Sequence, residues 1–76
     1  MTTAFILLNV ELGKEDEVVE NLKKIPEVKD VFRLYGVYDV IAKVEAEMEK
    51  NLKHIVSSRI RRLDKVRSSM TMIVMD

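Results

Sequence analysis

The sequence predicts an α+β fold, a ferredoxin-like βαββαβ sandwich in which a four-stranded antiparallel sheet carries two helices on one face. Two observations predict it. Four apolar segments have strand-like composition, and two segments between them repeat apolar residues every three or four positions, as helices do. A chain of 76 residues is long enough for one hydrophobic core, so we expect residues 1–76 to form a single domain.

The first strand and the first helix are separated by a change of hydrophobic period. Residues 2–10 are predicted to form a strand, and their continuous apolar run from Ala4 to Leu8 is typical of a central strand. A helix is expected to begin after Gly13 and to end at Pro26. Acids fill its first turn, where the helix dipole stabilises them, and its apolar stripe consists of Val18, Val19, Leu22 and Ile25.

A hairpin, a second helix and a last strand complete the predicted fold. Residues 28–35 and 38–46 are expected to be strands joined at Gly36, which can take a positive φ without steric cost. The last strand is predicted at residues 66–75. The helix before it is indicated by the spacing of Met48, Leu52, Ile55, Val56, Ile60 and Leu63.

The sheet face without helices is expected to be apolar as well. Phe5, Leu7, Val31, Ile41 and some of the C-terminal methionines have no place on the helix-covered face. A contiguous exposed apolar patch usually marks an interface. We therefore expect a homodimer formed through this face.

Composition restricts the partners of the chain. Thirteen basic and thirteen acidic residues cancel, so no overall field attracts nucleic acid or an anionic membrane, and we expect no specific binding to duplex DNA. There is no cysteine, which excludes a disulfide or thiolate scaffold. No leader or long apolar run is present in the sequence, so we expect a cytoplasmic protein.

Catalytic and metal-binding groups are scarce. His54 is the only histidine and lies off the apolar stripe of its helix, which indicates a surface residue. We therefore expect no enzymatic activity, no metal and no cofactor. The basic segment 59–67 has two interpretations, a phosphate-binding patch or a helix C-terminus that complements its dipole, and the neutral net charge favours the second.

The polar residues of the hairpin and of the last strand form the candidate ligand site. An amino acid needs a partner for its ammonium, donors for its carboxylate and an apolar wall. Asp39 can hold the ammonium, and Ser69 and Thr71 point the same way on a strand. The alternative is a plain hairpin turn with an exposed acid. The candidate site consists of Tyr35, Gly36, Tyr38, Asp39, Ser69 and Thr71.

Three segments resemble the effector-binding (RAM) domain of the Lrp/AsnC family of transcriptional regulators. They are the strand 2–8, the Gly-x-Tyr-Asp turn at Gly36–Asp39 and the ending 69–74. Where the family often has Thr-Ser-Thr on the last strand, this chain has Met70 in the middle. The resemblance covers nearly all 76 residues and is to the stand-alone form, without the helix-turn-helix domain that binds DNA.

The resemblance implies a function and an assembly. Family members of this form assemble into dimers and rings of dimers, and amino-acid effectors bind between dimers near the Gly-x-Tyr-Asp turn and the hydroxyls of the last strand. We expect a module that senses an amino acid or similar small effector through assembly with itself or with a full-length family regulator. Two alternatives stay open: a structural co-assembly partner that binds no ligand, and a small dimeric α+β enzyme.

Overall fold

The computed structural model describes residues 1–75, and its element order is the predicted βαββαβ. A π-helical turn, Val56–Ile60, directly extends the second helix. The elements are β1 Thr2–Val10, α1 Glu15–Lys23, β2 Val28–Arg33, β3 Val40–Ala46, α2 Glu49–Ile55 and β4 Val66–Ile73.

The four strands form one antiparallel sheet in the order β2-β3-β1-β4. β1 is central, as its continuous apolar run predicted. Leu8 lies between Val40 of β3 and Ser69 of β4, which fixes the register at the end of the sheet where the hairpin lies. The ferredoxin-like prediction is therefore confirmed.

The core lies between the helices and one face of the sheet. Alternate residues of β1 and β3 point into it, because side chains alternate between faces along a strand. α1 contributes Val18 and Leu22, which are fully buried, and α2 contributes Leu52. Among the described residues, no polar or charged residue is buried as a whole. The core is therefore an apolar layer.

The opposite sheet face is open and carries a contiguous apolar patch. One row crosses all four strands, because Phe32 pairs with Ile41, Ile41 with Leu7 and Leu7 with Met70. In the next row Phe5 pairs with Met72. Phe32 is 61% exposed, and Met70 and Met72 are each 46% exposed. We call these six residues the open face.

The prediction for Val31 is wrong. Val31 pairs with Ala42 on the helix-covered face and packs against the core, and Phe32 occupies the open face instead. A register shift between Val28 and Asp30 accompanies this placement. Such a bulge changes which face each residue takes, and the sequence pattern does not reveal it.

The hairpin strands are shorter than predicted, and the second helix is not uniform. β2 ends at Arg33 and β3 begins at Val40, because Leu34 donates its N–H to Asp39 O (2.8 Å) and closes the loop there. Within the π turn, Arg61 donates its N–H to Val56 O, five residues back (2.8 Å). Met48, expected on the apolar stripe, is exposed at the start of α2.

Candidate functional site

Asp39 ties the hairpin to the end of the central strand. Its N–H donates to Leu8 O (2.9 Å), and its Oδ2 accepts a hydrogen bond from the Val10 N–H (2.8 Å). Because a half-buried carboxylate needs a donor, this bond stabilises a charge at the start of an apolar strand. Val10 is the only protein donor to this carboxylate within residues 1–75. The second oxygen, Oδ1, therefore remains able to accept a hydrogen bond from a ligand.

Two clefts meet at Asp39. The hairpin cleft, about 550 Å³ in volume, lies between the hairpin loop and the start of α1. It is lined by Glu15, Arg33, Leu34, Tyr35, Gly36 and Asp39. The bulge cleft, about 390 Å³, lies across the ends of β3, β1 and β4, and its name refers to the register shift between Asn9 and Val10 in the pairing of β1 with β4. It is lined by Asn9, Val10, Asp39, Arg67 and Ser68.

The hairpin cleft contains three charged groups. The Arg33 guanidinium is bonded to the Asp16 carboxylate of α1 at 2.7 Å, so its charge is already matched. Glu15 and Asp39 add two carboxylates to the lining. The balance of this cleft is therefore acidic, which suits a cation.

The predicted hairpin residues are only partly brought together. Gly36 has the expected positive φ, +153°, and lines the hairpin cleft with the fully exposed Tyr35. The Tyr38 hydroxyl instead donates to the Met70 sulfur at 3.9 Å, towards the open face. Tyr38 is therefore directed away from the cleft that contains Tyr35.

The predicted hydroxyls lie further along β4. Ser69 pairs with Leu8 and Thr71 with Ile6, so both lie on the helix-covered side, pointing the same way as expected. Ser69 lines a cleft of about 290 Å³ together with Arg61 and Arg67. Thr71 lines a separate cleft near the π turn. Within one chain, neither shares a cleft with Asp39.

Arg67 is the residue that sequence reasoning missed. Arg67 belongs to the basic segment 59–67, yet it lines both the bulge cleft and the cleft of Ser69. Asn9, across the bulge cleft, donates from Nδ2 to Ser68 Oγ at 3.0 Å and holds that wall in place. The only sequence signal for Arg67 was a cation two residues before Ser69.

The described residues also bear on three other features: a metal site, the single histidine and a membrane-spanning helix. Within residues 1–75, no three histidine, aspartate or glutamate side chains come together as a potential metal site. His54 is exposed, as predicted. Neither helix in this part of the chain has the length and hydropathy to cross a membrane.

Comparison with known sequences gives a family match. The model of the Lrp/AsnC ligand binding domain matches residues 3–76. The chain is 36% identical over 72 residues to the HTH-type transcriptional regulator FL11 of Pyrococcus horikoshii, a match covering 95% of this chain and 47% of that protein. It thus spans about half the length of the curated relatives it matches.

Solved structures show the same fold. The crystal structure of FFRP-DM1 superposes with a TM-score of 0.94 at 43% identity, covering 97% of this chain and 99% of that one. The complex of transcriptional regulator NMB0573 with L-Met, from Neisseria meningitidis, superposes at 0.85 with 21% identity, covering 99% of this chain and 50% of that one. The second similarity shows a shared fold only.

Proposed function

Because the chain belongs to the Lrp/AsnC family, as its sequence motifs predicted, we propose that it is a regulatory module that binds an amino-acid effector. Its relatives are named transcriptional regulators, which supports a role in regulation and not in catalysis. The observation that carries the proposal is the Asp39 carboxylate at the junction of two clefts, with one oxygen bonded to the backbone.

The chemistry of Asp39 suits an ammonium group. The Val10 N–H fixes the orientation of the carboxylate. Binding a ligand at Oδ1 therefore carries little additional entropy cost for ordering the Asp39 side chain. A charge-assisted bond between a carboxylate and an ammonium is about twice as strong as a neutral one. Glu15 adds negative charge on the hairpin side. Asp39 therefore binds the effector ammonium in this proposal.

Assembly is the second part of the proposal. The open face presents Phe32, Met70 and Met72 to solvent, and a domain of this size gains stability by covering such a patch. A two-fold dimer places the same patch of two copies face to face. The resemblance to the family implies that dimers assemble further into rings. In this proposal, Ser69 and Thr71 of neighbouring copies complete the effector site.

The enzyme alternative has less support than the sensor. A base or nucleophile between the helices and the sheet would be a buried polar group, and in the described part of the chain no polar residue is buried as a whole, although Oε1 of the half-buried Glu27 is. The structural alternative keeps the assembly and removes the ligand. It differs from the sensor in one measurable quantity, the heat of amino-acid binding.

Calorimetry with each of the twenty amino acids, combined with light scattering, tests the proposal. We expect saturable binding of at least one amino acid, and a change in assembly mass when it is added. If no amino acid gives heat but the chain joins a full-length relative, the structural alternative is correct. If a mixed assembly forms, regulation reaches DNA through that partner.

A further inference from the structure

A β-bulge in β4 places Arg67 in the lining of the bulge cleft. Asn9 pairs with Ser68, but the next residue of β1, Val10, pairs with Val66. Arg67 is therefore the extra residue of β4, with no partner across the ladder. Bulges bend a strand and change the direction of a side chain, and they are frequent beside functional sites.

The bulge cleft contains charges of opposite sign on its two walls. Asp39 stands on the β3 side and Arg67 on the β4 side, with β1 between them. Because neighbouring strands lie about 4.8 Å apart, the two outer backbones are roughly 10 Å apart. Asp39 and Arg67 form no ion pair with each other or with any other residue in the described range 1–75. The charges thus face a gap that is open to a ligand.

The hairpin cleft does not offer the same pair. Its guanidinium, Arg33, is bonded to Asp16 at 2.7 Å, an exposed ion pair that competes only weakly with a ligand carboxylate. Its other charged groups, Glu15 and Asp39, repel a carboxylate. Among residues 1–75, Arg67 of the bulge cleft has no such competitor, and its planar guanidinium can bind a carboxylate through two hydrogen bonds.

We propose that Arg67 binds the α-carboxylate of the effector while Asp39 binds its ammonium, so that the bulge cleft selects free zwitterionic amino acids. The inference rests on the proposed function and adds the group that recognises the anionic end. Ser68 and Val10 also line this cleft. Amines without a carboxylate and acids without an amine each lose one of the two anchors.

The test compares each amino acid that binds with its carboxamide. The amide keeps the ammonium and the side chain but has no negative charge. Hydrogen bonds to a charged group are strong enough that the amide should bind roughly 10- to 150-fold more weakly to the natural protein. Arg67→Gln should weaken the free amino acid by the same factor and leave the affinity for the amide unchanged.

Two further variants make the result specific. Arg62→Gln removes an exposed arginine that does not line the bulge cleft, and it should change neither affinity. Arg67→Lys keeps the charge but loses the fork, so its affinity should lie between those of the natural protein and Arg67→Gln. Because Arg67 is exposed, we expect the melting temperature to stay close to that of the natural protein.

The outcomes separate this inference from the proposed function. If amino acids bind but the amide binds equally well, or Arg67→Gln leaves the preference unchanged, the Arg67 inference is wrong and the sensor proposal stands. If none of the twenty amino acids binds, both are wrong. The comparison of acid and amide uses the natural protein and shows whether a carboxylate is recognised, and Arg67→Lys tests the role of Arg67 if Arg67→Gln does not fold.

Discussion

Asp39 should contribute to both stability and effector binding, through different oxygen atoms. Its Oδ2 accepts the Val10 N–H at 2.8 Å, which joins β3 to the end of β1. Its Oδ1 is the acceptor proposed for the effector ammonium. Asp39→Ala removes both acceptors, whereas Asp39→Asn keeps an oxygen for Val10 and removes the charge. The two variants therefore separate the two roles.

The expected magnitudes follow from these bonds. In Asp39→Ala the part-buried Val10 N–H has no protein acceptor, which costs about 1–3 kcal/mol. For a domain of this size, 2 kcal/mol corresponds to a fall in melting temperature of about 8–16 °C. Asp39→Asn exchanges a charged for a neutral acceptor, a loss of about 1 kcal/mol. Both variants should lower effector affinity roughly 10- to 150-fold.

Thermal unfolding and calorimetry on the same samples measure both effects, at one protein concentration because assembly changes the melting temperature. Asp64→Asn is the matched control, since Asp64 is an exposed acid paired with the adjacent Lys65 and should change neither quantity. If Asp39→Asn binds a confirmed effector as tightly as the natural protein, Asp39 has a structural role only. If Asp39→Ala melts normally, the Val10 bond contributes no stability.

The remaining predictions concern assembly, the hairpin and DNA. Phe32→Ser should weaken the dimer by roughly 10²- to 10⁴-fold, because its exposed 61% amounts to about 120 Å² of apolar surface per copy. Leu12→Ser, a change at a 95% exposed residue outside the open face, should leave the mass by light scattering unchanged, and a dimer that tolerates Phe32→Ser would place the interface elsewhere. Gly36→Ala should destabilise the fold by about 1–3 kcal/mol in denaturant unfolding, because φ +153° strains any residue with a Cβ. The new Cβ would have no other atom within 4 Å, so the effect comes from the backbone alone, and a variant as stable as the natural protein would contradict this strain. In gel shifts at physiological salt the chain alone should show no sequence-dependent retention of duplex DNA, because its net charge is zero, and retention of one sequence over another would refute this.

Sequence reasoning was reliable where one periodicity dominated a segment. The apolar run of β1 identified the central strand, and the acids at Glu15 and Asp16 together with Pro26 located α1 to within a few residues. These features depend on local sterics and on burial of one face, and both follow from residues that are close together in the sequence. Boundaries were less accurate at the hairpin, where β3 begins after Asp39, which is bonded to Leu34 and to the distant Leu8.

The candidate site also combines residues that the sequence indicates with contacts that it does not reveal. The sequence indicates Asp39 and Gly36 as candidate site residues because a charge and a glycine beside an apolar strand are unusual. It could not show that Tyr38 contacts Met70, 32 positions later, or that Ser69 lies in a different cleft.

The sequence by itself determined the order of elements, the helix-covered core and the family, because these follow from local periodicity and motifs. Only the tertiary structure decided that Val31 faces the core and that Arg67 stands opposite Asp39. Both depend on bulges, at Val28–Asp30 and at Asn9–Val10. A bulge shifts the register of two paired strands by one residue. Its position depends on both strands, so the residue pattern of one strand does not reveal it.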